Sequence, residues 1–204
     1  MYKSFFKRFI DFIIAVSGFI TLLPVFIILT LILLITNQGK PFFTQKRPGK
    51  NEKIFKIIKF KSMTDAKDKN GNLLPESKRI TKIGKFIRKT SLDEIPQLIN
   101  IIIGDMSIIG PRPLLVNYLQ YYNTIQKHRH DIRPGITGWA QVNGRNTLNW
   151  EDRFNHDVWY VDNLSLKLDL KIIFLTIKKV LKREDIYDLE QVELKEFKGT
   201  TNNL

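Results

Sequence analysis

FIIAVSGFITLLPVFIILTLILLITNQG, from Phe12 to Gly39, decides how the rest of the chain is read. No charge interrupts it, and Phe12 to Ile35 is dominated by Phe, Ile, Leu and Val, long enough to span a bilayer as one straight helix. It is too apolar for an ordinary amphipathic surface helix. It exceeds a signal-peptide h-region and closes on Thr36-Asn37-Gln38-Gly39 rather than a small-x-small cleavage site, which argues against a cleaved leader. Pro24 stands at its middle, where the missing N–H and the clash with the preceding turn predict a kink. Each half, about 12 residues, would measure about 18 Å, roughly the depth of one leaflet. Lys3, Lys7 and Arg8 precede the run; Lys40, Lys46, Arg47, Lys50, Lys53, Lys56, Lys59 and Lys61 follow it, offset by Glu52 alone. A plain span carries its Lys and Arg excess on one side. Cations at both ends favour a re-entrant broken membrane helix over residues 1–38 with both ends cytoplasmic, a kinked true span being the alternative.

Working outward, the chain has 204 residues, 43% of them apolar, which fits one domain with an appendage. Cysteine is absent, which excludes a disulfide scaffold, a Cys-ligated metal and a thiol nucleophile. The 33 Lys and Arg against 20 Asp and Glu leave a charge of +13, implying an anionic partner: nucleic acid, an acidic membrane surface or a phosphorylated compound. Pro41 to Gln45 and Ile54 to Phe60 are β-prone and are separated by the turn signal Pro48-Gly49-Lys50-Asn51, so a short hairpin is expected. Residues 65–77 read as a polar loop.

From Lys78 to Lys89 six cations (Lys78, Arg79, Lys82, Lys85, Arg88, Lys89) oppose Ile80, Ile83 and Ile87, the pattern of a basic amphipathic helix. Leu166, Leu170, Ile173, Phe174, Ile177 and Leu181 form a second apolar stripe opposed by lysines. Both helices suit a lipid headgroup surface, and both equally suit a solvated face over an ordinary core. The expected architecture is mainly α with a short β-hairpin. A re-entrant membrane helix (1–38) and interfacial amphipathic helices surround a cytoplasmic catalytic domain (39–191), with a loose polar tail at 192–204.

Asp93 and Glu94 follow the six-cation run directly. Two adjacent carboxylates among cations suit a divalent metal and a phosphorylated ligand. Ser91-x-x-Glu94 also matches a helix capping box, with Asp93 at the positive end of the dipole and Pro96 near the helix start. Arg112, between Pro111 and Pro113, presents a guanidinium at a stiff turn suited to bidentate phosphate contact or simply to solvent. The loop from Arg133 to Asn146 has three glycines that permit close backbone approach, flanked by Arg133 and Arg145. It lacks the Walker pattern. His128, His130 and His156 do not have zinc spacing.

On these residues the chain resembles the small monotopic phosphoglycosyl transferases, the bacterial sugar transferase family. The likeness is carried by the broken apolar helix, Lys56 to Met63, Ser91-Leu92-Asp93-Glu94, Gly104-Asp105-Met106-Ser107, Gly110-Pro111-Arg112-Pro113 and the loop from Arg133 to Asn146, in that order. In size and in Arg112-Pro113-Leu114-Leu115-Val116 it looks most like the undecaprenyl phosphate N,N'-diacetylbacillosamine 1-phosphate transferases of protein N-glycosylation. Leu23 before Pro24 departs from the Ser of many members. The resemblance implies transfer of a sugar 1-phosphate from a UDP-sugar to undecaprenyl phosphate, with UMP released and Mg²⁺ required, at the bacterial inner membrane. It makes Asp93 the nucleophile and Glu94 its metal-binding companion. Lys59, Arg88, Arg112 and Arg145 would offset the charge of two anionic substrates, and Asp157 and Asp169 are further polar site candidates. Downstream glycosyltransferases are the protein partners such chemistry implies, and nucleic acid is not expected. An initiating hexose 1-phosphate transferase of capsule, O-antigen or exopolysaccharide assembly would share every catalytic residue.

Overall fold

The computed structural model describes residues 2–144, 148–182 and 196–199. The apolar run forms α1, Lys7–Thr36, preceded by a π-helical turn at Tyr2–Phe6. The helix continues through Pro24 rather than breaking into two halves there. At 1.5 Å per residue its 30 residues extend about 45 Å.

Both ends of α1, and its middle, pack on the rest of the chain. At the N-terminal end Lys7 pairs with Asp169 at 2.8 Å, and Asp11 accepts from the Ser107 hydroxyl at 2.7 Å and the Ile108 N–H at 3.1 Å. Arg8 donates to the carbonyls of Ile101 and Ile102. One turn beyond Asp11, Ala15 is fully buried against Phe55, Ile57, Ile101 and Met106. At the C-terminal end Leu29 and Leu33 join Phe60, Ile87 and Ile95, and the Asn37 side-chain amide donates to the Lys61 carbonyl at 2.7 Å. The opposite face, with Ile20, Ile27, Ile28, Leu31 and Ile35, is exposed.

The hairpin forms as expected, β1 (Phe42–Pro48) against β2 (Ile54–Phe60), antiparallel with Phe42 opposite Phe60 and Pro48 opposite Ile54. The basic helix does not run unbroken from Lys78. A single turn, α2 (Glu76–Arg79), ends at Ile80, which is extended and bridges Met63; α3 (Lys82–Lys89) then starts anew. Thr81 sets that start, its hydroxyl accepting from the Gly84 N–H at 2.9 Å. Gly84 is required there because a Cβ would lie 1.8 Å from the Ser62 carbonyl oxygen. The α3 isoleucines belong to the core, Ile87 being fully buried, so this helix takes the ordinary-core reading.

α4 (Gln97–Ile103) ends at Gly104 in the left-handed region, φ 98°. Its C-terminal carbonyls meet Arg8 at residues 101 and 102, and Arg133 at Gly104 (2.7 Å). After it β3 (Ser107–Ile109) pairs in parallel with β4 (Gly135–Thr137), a two-stranded sheet the sequence reading did not contain. Between these strands lie a 3₁₀ segment (Val116–Tyr121), α5 (Thr124–Lys127) and a 3₁₀ turn at His128–His130. α6 (Trp139–Asn143), α7 (Trp150–Asp162) and α8 (Leu166–Lys182) complete the body. On α8, Leu168 and Ile172 are buried, while Leu166, Leu170, Phe174 and Ile177 remain 45–68% exposed, an apolar stripe that nothing among the described residues covers. Of the expected loose tail, Glu196–Gly199 are described, and Phe197 is buried among Tyr118, Tyr122, Trp150 and Phe154.

Candidate active site

Asp93 and Glu94 occupy a 3₁₀ turn, Leu92–Glu94, between α3 and α4. Ser91 enters it at φ 57°, in the left-handed region, and its side chain makes no capping bond. The capping-box reading therefore does not hold: the turn holds Ser91 away from the extended geometry an N-cap needs. Both carboxylates meet cations.

Lys59, near the end of β2, places its Nζ 2.6 Å from Glu94 Oε1 and 3.8 Å from Asp93 Oδ2. Arg112 reaches the same Glu94 oxygen at 3.3 Å, with its side chain 42% exposed and so open to a ligand. Arg88, on α3, donates from Nε to the Ser62 hydroxyl at 2.8 Å and pairs with Glu76 at 3.6 Å, and its charge still acts on Asp93. Asp93 is buried, and burial raises its carboxyl pKa. Lys59 opposes that rise, Glu94 adds to it, and Arg88 and Arg112 oppose it.

Next to Lys59, β2 is joined to α4 by Asn100, a polar side chain in the apolar Leu98–Ile103 run. Asn100 is fully buried; its amide donates to the Lys56 carbonyl at 2.8 Å and accepts from the Ile58 N–H at 3.0 Å. β2 is thus bolted to α4 one residue before Lys59. Sequence reasoning passed over Asn100, although a lone Asn among isoleucines is a recognisable signal of a buried backbone clamp.

Further guanidiniums surround Arg112. Its charge and burial together push the Arg47 pKa down to about 10, with burial the larger cause, and the Arg47 Nε is buried without a hydrogen-bond partner. Arg153 lies over the Trp150 ring at 4.9 Å and also feels Arg112. Neither was singled out by spacing, since each sits in a run of polar residues. A crowd of like charges at this density marks a site built for anions.

The other expected site residues fall elsewhere. Asp157, on α7, is buried and pairs with Arg129 at 2.8 Å; burial raises its pKa and Arg129 opposes the rise. Asp169 accepts from Tyr2 and Tyr160 hydroxyls, each at 2.6 Å, as well as from Lys7, and so ties the start of α1 to α7 and α8. Arg145 lies outside the described residues. Two of the three glycines of the 133–146 loop serve backbone packing: a Cβ on Gly135 would lie 2.1 Å from the Gly110 nitrogen, and one on Gly138 would lie 2.2 Å from the Gly110 oxygen.

Among the described residues no three His, Asp or Glu side chains cluster as metal ligands. The donor set at Asp93 and Glu94 nonetheless suits a hard cation of the Mg²⁺ kind. Such an ion is commonly held by one or two carboxylates, with substrate phosphates and water completing the shell.

The chain is similar to known sugar transferases. An uncharacterized sugar transferase, EpsL, of Bacillus subtilis is 51% identical over 177 residues, covering 86% of this chain and 88% of its own length. The UDP-glucose:undecaprenyl-phosphate glucose-1-phosphate transferase of Klebsiella pneumoniae is 42% identical across 85% of this chain and 40% of its own. The UDP-N-acetylgalactosamine-undecaprenyl-phosphate N-acetylgalactosaminephosphotransferase of Aeromonas hydrophila is 36% identical across 87% and 44%. This chain thus spans nearly all of the first relative but about two-fifths of the Klebsiella and Aeromonas proteins. With the family model described as bacterial sugar transferase matching residues 2–183, the chain is an enzyme that belongs to the bacterial sugar transferase family.

Proposed function

We propose that this protein transfers a sugar 1-phosphate from a UDP-sugar to undecaprenyl phosphate, releasing UMP, by way of a covalent phosphosugar on Asp93. The observation that carries the reading is a buried carboxylate held beside Lys59 and Glu94 while Arg112 stays open to a ligand. An Asp93 carboxylate oxygen attacks the β-phosphorus, a P–O bond forms, and the bond to UMP breaks. The polyprenyl phosphate oxygen then attacks the same phosphorus and displaces the carboxylate, since an acyl phosphate is a mixed anhydride and a good donor. Burial raises the Asp93 pKa, and Lys59 opposes that rise by favouring the charged, nucleophilic carboxylate. Arg112 presents its planar fork to the diphosphate. Mg²⁺, bound at Asp93 and Glu94 with substrate phosphate, would supply charge neutralisation on the diphosphate.

The test is covalent trapping. UDP-sugar and Mg²⁺ without polyprenyl phosphate should leave a phosphosugar on the wild-type enzyme under a quench that preserves acyl phosphates. Asp93→Asn should abolish both the adduct and UMP release with little change in thermal stability. Absence of any adduct on active wild-type enzyme would favour direct attack by the polyprenyl phosphate, with Asp93 reduced to a metal ligand.

For the sugar, two readings stand: N,N'-diacetylbacillosamine, and a hexose or N-acetylhexosamine of polysaccharide assembly. The Klebsiella and Aeromonas relatives are named for glucose and N-acetylgalactosamine, which favours the second. A panel of UDP-sugars in the UMP-release assay distinguishes them.

The reading includes a monotopic placement on the cytoplasmic face of the inner membrane. It is supported by α1 packing on one body at both its ends, since a perpendicular span would carry one end away from the domain. The exposed stripes of α1 and α8 would meet lipid. Cysteines introduced at Ser4 and Lys69 should both resist a membrane-impermeant thiol reagent in intact cells, and labelling at position 4 alone would establish a true span.

A further inference from the structure

Arg129 is a buried guanidinium that the chemistry above does not use. Its side chain is 1% exposed, and it lies between the rings of Tyr122 and Phe154, 5.9 and 5.8 Å from their centroids. Phe197 closes the same aromatic wall, 4.9 Å from Phe154 and 5.7 Å from Tyr122. Nε and Nη2 of Arg129 both donate to Asp157 Oδ2, at 3.1 and 2.8 Å. Nη2 also donates to the backbone carbonyl of Arg112 at 2.7 Å.

A buried ion pair is weak evidence for stability, because an apolar pair of the same volume often does as well. What an apolar pair cannot supply is a charged donor aimed at one carbonyl. That carbonyl lies between Arg112 and Pro113, whose nitrogen has no hydrogen, and the preceding carbonyl, of Pro111, accepts from the Gly135 N–H at 3.1 Å. The backbone on either side of the Arg112 Cα is therefore held: by β4 at Pro111 and by Arg129 at Arg112. The prolines limit rotation between these two points. From this anchored backbone the Arg112 side chain extends to Glu94.

We propose that Arg129, oriented by Asp157, is a positioning residue for Arg112: by fixing the Arg112 carbonyl it sets the reach of that guanidinium toward Glu94 and the substrate diphosphate. The claim rests on the functional reading given above. Misplacement of a charged fork by about 1 Å costs on the order of 100-fold in rate, so a small loosening of this strut is readable in kinetics.

The experiment is a double-mutant cycle on the full-length, membrane-reconstituted enzyme, reading UMP release. Arg129→Lys keeps the buried charge and shortens the reach; it should lower kcat/KM for the UDP-sugar at least 10-fold. Arg112→Ala should lower it further. In the Arg112→Ala background, Arg129→Lys should change kcat/KM by no more than about 2-fold, because the group it positions is gone. Effects that multiply, or wild-type kinetics in Arg129→Lys, would overturn the proposal. Phe154→Leu leaves every hydrogen bond of the pair in place and removes one ring face, and should show a smaller loss that likewise vanishes in the Arg112→Ala background. It carries the cycle if Arg129→Lys fails to accumulate. Wild-type turnover is measured first; if the enzyme releases no UMP, the functional reading fails. The same cycle is then read on binding of inorganic pyrophosphate, where non-additive losses uphold the strut and additive ones refute it.

Discussion

Asn100→Ala tests whether the active-site geometry is held by the clamp between α4 and β2. The substitution removes a buried donor and acceptor and orphans two backbone groups, the Lys56 carbonyl and the Ile58 N–H. Each buried polar group left unpaired costs about 1–3 kcal/mol, so the expected loss is about 3 kcal/mol or more. For a chain of this size that corresponds to a fall in Tm of roughly 6–12 °C. The larger effect should be on rate. Lys59 follows Ile58 directly, and its 2.6 Å contact with Glu94 requires β2 to keep its place against α4. UMP release, measured well below the variant's Tm, should fall by about 100-fold. Ile172→Ala is the control. Ile172 is fully buried in a different cluster, with Tyr160 and Leu168, and its truncation costs about 2–5 kcal/mol without touching β2. That variant should lose similar stability and retain near-normal turnover. Wild-type kinetics in Asn100→Ala, or an equal loss in Ile172→Ala, would refute the clamp.

Arg112→Lys retains charge at a half-exposed side chain and loses the planar fork; activity should fall at least about 10-fold with Tm within about 2 °C of wild type, and unchanged kinetics would remove its role. Burial, aided by the Arg129 charge, holds the His130 pKa down to about 3 from 6.5. The unfolded chain therefore binds a proton that the folded one refuses, and stability should decline as pH falls from about 6.5 toward 3, by on the order of 2 kcal/mol at pH 5. Thermal melts of His130→Gln should show a shallower decline across that window, and an equal slope would argue against a buried neutral imidazole. Gly135→Ala should cost roughly 3 kcal/mol, because its Cβ would meet Gly110 backbone at 2.1 Å and force β3 and β4 apart. Gly71→Ala, with nothing within 4 Å, should cost only about 1 kcal/mol for its positive φ, and equal melts for the two would contradict the packing role.

Local signals in the chain account for the apolar helix, the hairpin about Pro48 to Asn51 and the carboxylate pair, because each depends on a run, a turn residue or adjacency. Pro24 illustrates the limit of such signals: its ring removes one backbone bond, yet the helix continues, since packing along α1 on both sides of it outweighs one lost bond. Ser91-x-x-Glu94 illustrates another. The spacing of a capping box is local, but whether Ser91 can adopt cap geometry is set by how α3 meets the turn, and it does not.

The amino-acid sequence by itself determined the apolar helix, the hairpin, the positive charge and the family likeness, together with Asp93, Glu94 and Arg112 as chemically apt residues and, through that likeness, Lys59. Only the tertiary structure decided which cations meet Asp93, that Asp157 faces Arg129, and that Asp169 secures the start of α1. It also decided that Gly135 and Gly138 lie against Gly110, that Asn100 meets the Lys56 carbonyl and that Arg129 meets the Arg112 carbonyl. The physical reason is that these contacts join residues far apart in the chain. Charge and hydrophobicity along a sequence announce that a buried polar group needs a partner, whereas the identity of that partner is settled only when the core closes around both.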